Sequence, residues 1–309
     1  MHGIQVDQFF LLTKGRLMLR LVAGEKGLKR RITVPELNRP GLAIAGYFEY
    51  FASRRPQVLG KAEVTYLNSM KAGQRRSRIR TLFKQRIPCV IVARNYLPPK
   101  ELIEEAEVEN IPVFRSKMIT MALINKATIF LEDEFSPSTT LVGNLLEVFG
   151  VGILIRGKSG VGKSECALGL IKRGHRLIAD DVVKIKLKEG KYLIGRGPNV
   201  VKHHMEIRGL GIINVQALYG VTCIKESQEI AIVITLEEWQ SDKEYERLGL
   251  EDKTFEILGQ SLAHIVIPVR PGRDIVLLVE AAALNQRLKK MGKHPVRMLD
   301  RELIRVMKK

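Results

Sequence analysis

The stretch "GKSGVGKS" (residues 157–164) follows an apolar run, "VGILIR" (residues 151–156), and leads into "ECALGLIKRG" (residues 165–174). It fits the pattern G-x-x-x-x-G-K-[ST] at every fixed position, with Gly157, Gly162, Lys163 and Ser164. Gly157, Gly160 and Gly162 permit backbone conformations that aim successive N–H groups at an anion, and Lys158, Ser159 and Val161 complete the turn. Lys163 supplies an ammonium to the outer phosphates of a nucleotide, and Ser164 a hydroxyl oxygen to Mg²⁺. The following helix adds its positive N-terminal end. The apolar run predicts a buried strand, and the segment after the turn a short helix stopped by Gly174. Strand, glycine turn and helix in that order predict an α/β fold with a nucleotide-phosphate site. The alternative, a glycine turn that binds nothing, leaves Lys163 without a task.

Downstream, "HRLIADD" (residues 175–181) reads as a strand ending in Asp180 and Asp181. Carboxylates at a strand end beside a phosphate turn organise metal or water, or take a proton from an attacking hydroxyl. The plainer alternative is a helix cap or loop turn. "MEIRGLGIINV" (residues 205–215) offers the Glu206 carboxylate to a metal and backbone N–H groups to anions; the weaker reading is a hairpin with ordinary surface charges. His203 and His204 precede it without the i, i+4 spacing of a helical zinc site, and read as structural histidines. Arg270 and Arg273, in "IPVRPGRD" (residues 267–274), and Arg247, in "YERLGL" (residues 245–250), are forked donors suited to phosphate oxygens.

Outward from the turn, the chain reads as two domains, residues 1–130 and 131–309. The first alternates strand-like and helical segments: "RIPCVIVAR" (residues 86–94) predicts a buried strand, "PPKELIEEAEVEN" (residues 98–110) a helix, and "IPVF" (residues 111–114) the next strand. "LEDEFSPSTT" (residues 131–140) reads as a linker or loop. In the second domain, "KIKLKEGKYLIG" (residues 184–195) predicts a hairpin around Glu189 and Gly190, and "EIAIVITLE" (residues 229–237) a central strand. "DIVLLVEAAALNQRLKKMG" (residues 274–292) reads as a strand running into a helix, and "RMLDRELIRVMKK" (residues 297–309) as an amphipathic helix.

The 309 residues carry a formal net charge of +18, concentrated in the first domain, which holds 23 of the 51 Lys and Arg but 10 of the 33 Asp and Glu. The densest segment is "KAGQRRSRIRTLFKQR" (residues 71–86). Such a surface attracts nucleic acid, phosphate-bearing ligands or acidic proteins, or is a solvated helix face. No recognition fold accompanies it, so nucleic acid is not expected as a partner. No apolar run is long enough for a membrane span, and no signal peptide is read. Cys89, Cys166 and Cys223 are far apart and read as small buried hydrophobes in a reducing cytoplasm.

Together these segments resemble the HPr kinase/phosphorylase family over nearly the whole chain. The resemblance is carried by "NRPGLAIAGYFEYF" (residues 38–51), "RIPCVIVAR", "GVGILIRGKSGVGKSE" (residues 150–165), "KRGHRLIADDVV" (residues 172–183), "EIRGLGIINV", "YERLGL" and "IPVRPGR". It implies a small N-terminal α/β domain and a C-terminal P-loop kinase domain resembling phosphoenolpyruvate carboxykinase, assembled as a homohexamer. It implies ATP-dependent phosphorylation of a serine in the phosphocarrier protein HPr, and phosphorolysis of that phosphoserine with release of pyrophosphate. Under it, Lys163 contacts the nucleotide or pyrophosphate, Ser164 and Glu206 hold Mg²⁺, Asp181 is base in one direction and acid in the other, and Arg247 supports catalysis. The segment Met205, Glu206, Ile207, Arg208, Gly209, Leu210, Gly211, Ile212, Ile213 and Asn214 would serve both reactions. Pro268, Val269, Arg270, Pro271, Gly272 and Arg273 would serve chiefly dephosphorylation. One position departs: the family has His-Gly before the strand that leads into the turn, and this chain has Val142-Gly143. Valine can neither share a proton nor bind phosphate. A P-loop kinase with a different protein or small-molecule substrate, and a nucleic-acid-binding NTPase or regulator, are the alternative readings.

Overall fold

Val90, Ile91 and Val92 are fully buried and point alternately to two cores, as a strand covered on both faces requires. They form one strand of the first of two units, Met1–Ser136 and Pro137–Lys309, in a computed structural model that describes residues 3–198, 204–243, 245 and 253–294.

The first unit runs β1 (Ile4–Gln5), α1 (Val6–Thr13), β2 (Leu19–Ala23), β3 (Arg31–Ile32), α2 (Gly41–Ala45), β4 (Gln57–Leu59), α3 (Lys61–Ser69), α4 (Ala72–Phe83), β5 (Val90–Val92), α5 (Lys100–Glu109), β6 (Val113–Ser116) and α6 (Thr120–Phe135). The main sheet has the order β2-β6-β5-β4, with β4, β5 and β6 parallel and β2 antiparallel at the edge. One face packs against α2 to α5 and the other against α1 and α6. Asn110, in the left-handed conformation, closes α5. In α6 the buried Leu123, Ala127 and Leu131 recur at helical spacing, so the helix runs on to Phe135. The segment expected as a linker is therefore the last turn of α6 followed by a strand, because its acidic residues lie on a helix whose Leu131 is buried.

Three arginines of the basic segment are paired with carboxylates within this unit. Arg75 makes a two-pronged pair with Glu101 (2.7 and 2.8 Å), and Arg80 another with Glu105 (both 2.9 Å). Arg76 pairs with Glu104 between them. The arginines of α4 thus face the glutamates of α5, while Ile79, Leu82 and Phe83 enter the core.

The second unit runs β7 (Ser138–Val142), β8 (Asn144–Val148), β9 (Val151–Gly157), α7 (Lys163–Lys172), β10 (Arg176–Ala179), β11 (Val182–Lys188), β12 (Tyr192–Arg196), β13 (His204–Ile207), β14 (Gly211–Asn214), α8 (Val215–Tyr219), β15 (Ser227–Glu238), β16 (Thr254–Ile257), β17 (Gln260–Val269) and α9 (Ile275–Lys290). The parallel strands β9, β15 and β17 form its centre, with β15 in the middle. β8 and then β10 extend one side, and the antiparallel β12, β11 and β7 join through the first residues of β15. α7 and α9 cover one face. Glu189 and Gly190, both at positive φ, make the tight turn between β11 and β12. The segment from Asp274 is helical from its start rather than a strand. Asp274 caps it by accepting the Leu277 N–H (3.0 Å), and Val279 and Ala283, four apart, are its buried residues. The expected helix at 297–309 lies outside the described residues.

Candidate active site

The C-terminal ends of β9, β15 and β17 lie at one edge of the sheet, and β10, two strands from β9, runs the same way and ends there too. That edge is where ligands bind in sheets of this kind. At it, Gly157, Gly160 and Gly162 all take positive φ, and Gly162 opens α7. Gly157 also lacks room for a side chain, while at Gly160 the neighbour is the movable end of a long side chain. A Cβ on Gly157 would lie 2.5 Å from the Leu236 carbonyl oxygen, and one on Gly160 would lie 2.7 Å from the Arg208 guanidinium. Val161 is buried and pins the turn to the core. Lys158, Ser159 and Gly160 are exposed.

Lys163 is buried, and its Nζ donates to the carbonyls of Gly157 (3.1 Å) and Lys158 (2.9 Å). The ammonium therefore sits inside the turn, held by acceptors that phosphate oxygens can replace. Ser164 follows in the first turn of α7, half-buried.

Asp180 and Asp181 follow β10 directly and have different surroundings. One Asp180 oxygen accepts the Asn144 amide (2.7 Å), and the other accepts the Glu206 backbone N–H (3.4 Å). Burial pushes the Asp180 carboxyl up to about 6, and the Asp181 charge adds to the shift, while the Glu206 N–H and Lys163 oppose it. Asp181 is exposed, stands at φ +59°, and accepts the Gly143 N–H through its carbonyl (3.0 Å). Val142, beside it, is exposed at the end of β7 and pairs with Val182. The position where the resemblance has histidine thus carries an exposed apolar side chain, one residue before the Gly143 N–H that Asp181 accepts.

The segment at 205–214 is a β-hairpin, β13 to β14. Met205 and Ile207 are buried against α7, so Glu206 and Arg208 point outward. Arg208 reaches the phosphate turn, its Nη2 donating to the Ser159 hydroxyl (3.2 Å). Gly209 and Gly211, at positive φ, flank Leu210 in the turn. Leu210 and Ile212 are exposed, Ile213 is half-buried, and Asn214 caps α8 by accepting the Ala217 N–H (2.9 Å). A cavity of about 410 Å³ opens between the aspartates and this hairpin, lined among others by Arg196, His204, Met205 and Glu206.

Residues 268–273 leave β17 at the same edge. Arg270 lies over the Trp239 ring (5.0 Å), and Arg273 donates to the Pro268 carbonyl (3.4 Å) across Val269, Pro271 and Gly272. Arg247 and His203 lie outside the described residues. The glycine turn, the aspartates and the hairpin are thus joined by direct contacts, and the arginine loop shares their edge. Asn144 and Trp239 belong to this constellation and were not read from the sequence. The signal for Asn144 was a polar residue opening an otherwise apolar strand, "NLLEV" (residues 144–148).

The comparisons with known proteins cover both units. Residues 4–131 match the family described as HPr Serine kinase N terminus, and residues 133–303 that described as HPr Serine kinase C-terminal domain. The HPr kinase/phosphorylase of Bacillus licheniformis is 45% identical over 277 residues, covering 90% of this chain and 89% of the relative. That of Bacillus subtilis is 45% identical over 274 residues, covering 89% and 88%. A solved structure, the Hpr(Ser) kinase/phosphatase from Coxiella burnetii, is 36% identical, with a TM-score of 0.47, over 50% of this chain and 93% of that one. With both halves matched in order, and near half the residues shared along nine-tenths of the length, the chain belongs to the HPr serine kinase family and has its two-domain α/β architecture.

Proposed function

We propose that this chain phosphorylates a serine of the phosphocarrier protein HPr with ATP, and removes the phosphate by phosphorolysis, inorganic phosphate entering and pyrophosphate leaving. One observation carries the reading. A turn shaped for polyphosphate and a carboxylate pair able to exchange a proton with an alcohol stand at one sheet edge, linked by the Glu206–Asp180 and Arg208–Ser159 hydrogen bonds. The names of the relatives support the same substrate.

In the kinase direction the serine Oγ attacks the terminal phosphorus of ATP. The new P–O bond forms as the bond to the bridging oxygen breaks, and ADP leaves with the electron pair. Asp181 accepts the serine proton. Lys163 exchanges the Gly157 and Lys158 carbonyls for phosphate oxygens, and the N–H groups of the turn stabilise the charge on the transferring group. In the other direction an oxygen of inorganic phosphate attacks the phosphoserine phosphorus, the P–Oγ bond breaks, and protonated Asp181 returns its proton to the serine oxygen. Arg270 and Arg273 hold the entering phosphate, and Arg247 supports catalysis.

The donors at this edge fit Mg²⁺: a hydroxyl at Ser164 and a carboxylate at Glu206 are hard oxygens, and half-buried Asp180 adds negative charge beside them. Ser164 and Glu206 would hold the ion, which supplies charge neutralisation on the polyphosphate. The proposal includes a homohexamer in the cytoplasm; no described helix is long and apolar enough to cross a membrane.

The test is incubation with HPr, ATP and Mg²⁺ followed by mass mapping of phosphoserine, then addition of excess phosphate with assay of pyrophosphate. HPr left unmodified overturns the reading, and ATP still consumed in that case points to another acceptor. Asp181→Asn is expected to damage both directions; both persisting at wild-type rates removes Asp181 from its role.

A further inference from the structure

The helix that begins in the phosphate turn ends at Arg173, and the loop at 268–273 ends where α9 begins. These two ends are joined. Arg173 Nη2 lies 2.9 Å from Asp274 Oδ2, and its Nη1 lies 2.7 Å from Glu280 Oε2. The second Glu280 oxygen lies 2.9 Å from His175 Nε2, and His175 is buried with the Phe149 ring edge against it. Asp274 is the residue immediately after Arg273, and its other oxygen caps α9. Four residues before Arg173, Gly169 lies so near α9 that a Cβ there would come within 2.6 Å of Val276 Cγ2. The other end of the loop is also fixed, by the Trp239 N–H donating to the Val269 carbonyl (3.0 Å) and by Arg270 over the Trp239 ring.

From this geometry we infer that Arg173 is a positioning residue for phosphorolysis: by holding Asp274 and Glu280 it fixes the start of α9, and with it Arg270 and Arg273, relative to the glycine turn. The inference rests on the reading of 268–273 as the loop that holds inorganic phosphate. In the kinase direction the polyphosphate chain of ATP is held by the turn and Lys163, so the placing of the loop matters less. In phosphorolysis the attacking phosphate is a separate small anion, and its orientation depends on the distance between the loop arginines and the turn. Glu280 is buried enough that desolvation pushes its carboxyl up, yet His175 and Arg173 hold it below the usual carboxylate range. Arg173 itself is partly exposed. When Arg173 is replaced, Glu280 keeps His175 as its partner and Asp274 keeps the Leu277 N–H, so no carboxylate is left unpaired.

Arg173→Met is expected to lower kcat/KM for inorganic phosphate about tenfold, mainly through KM, while kinase kcat and the KM for ATP stay within about twofold. Asp274→Asn keeps a good helix cap but loses the ion pair, and is expected to show the same one-sided loss. Parallel loss of both activities in the two variants, or no loss in either, overturns the inference while leaving the proposed function standing. A wild-type enzyme without phosphorolysis overturns both.

Discussion

The side-chain amide of Asn144 donates a 2.7 Å hydrogen bond to Asp180, and both groups lie on the face of the sheet that carries α7. Asn144 is fully buried, so the half-buried Asp180 carboxylate leans on a donor with little freedom to move. Asn144→Leu should cost about 2 kcal/mol, since it removes a hydrogen bond to a charged group. Denaturant unfolding of the purified chain measures this, with a lowered midpoint as the expected result.

The raised Asp180 pKa fixes the sign of a pH effect. The folded protein binds the proton more tightly than the unfolded chain between 3.8 and about 6, so stability falls as pH rises through that window. Asp180→Asn removes the charge and keeps the acceptor for Asn144. The variant should be more stable than wild type at pH 8 by on the order of 2 kcal/mol, and equal to it below about pH 4. Thermal melts in chelator test this; chelator matters because a divalent ion would favour the carboxylate.

Lys163 places its ammonium inside the glycine turn, on the carbonyls of Gly157 and Lys158. Lys163→Met should reduce phosphorylation and phosphorolysis alike by about 10³-fold, the scale of losing one preorganised charge at a transferring group. Steady-state rates in both directions, with circular dichroism to confirm the fold, give the answer.

Between β9 and β15 there is no room at Gly152, where a Cβ would lie 1.9 Å from the Glu229 carbonyl oxygen. Gly152→Ala should destabilise the protein by about 3 kcal/mol, since backbone must shift to admit the methyl group. A fall in the urea midpoint with unchanged slope is the expected signature.

The Arg–Glu pairs of the first unit act at acid pH. Arg75 holds Glu101, and Arg80 holds Glu105, below the ordinary value of 4.5. A lowered carboxylate pKa stabilises fully above the unfolded value and loses that contribution as pH falls through the folded one. Glu101→Gln with Glu105→Gln should therefore lower the melting temperature at pH 7, and the gap from wild type should narrow below pH 4.5.

How far the chain could be read in advance depended on whether the signal was local. The glycine turn, the ends of α5 and the β11–β12 hairpin are set by residues adjacent in sequence, and they stand where the pattern put them. The start of α9 was misread because "IVLLV" (residues 275–279) has the β-branched, apolar look of a strand, and only the capping by Asp274 reveals a helix. The charge on α4 was legible but its partners were not, because the answering glutamates sit on another helix. Asn144 and Arg173 escaped for the same reason: each acts through a residue 36 or about a hundred positions away, and sequence spacing says nothing of such pairs.

The arginine ladder on α4 also ties two stretches of heredity together. A lineage that turned Arg80 into a glutamate would set like charges face to face, and the damage would be mended most directly by the reciprocal change at position 105. The remedy for a charge reversal on one of these helices thus lies on the other.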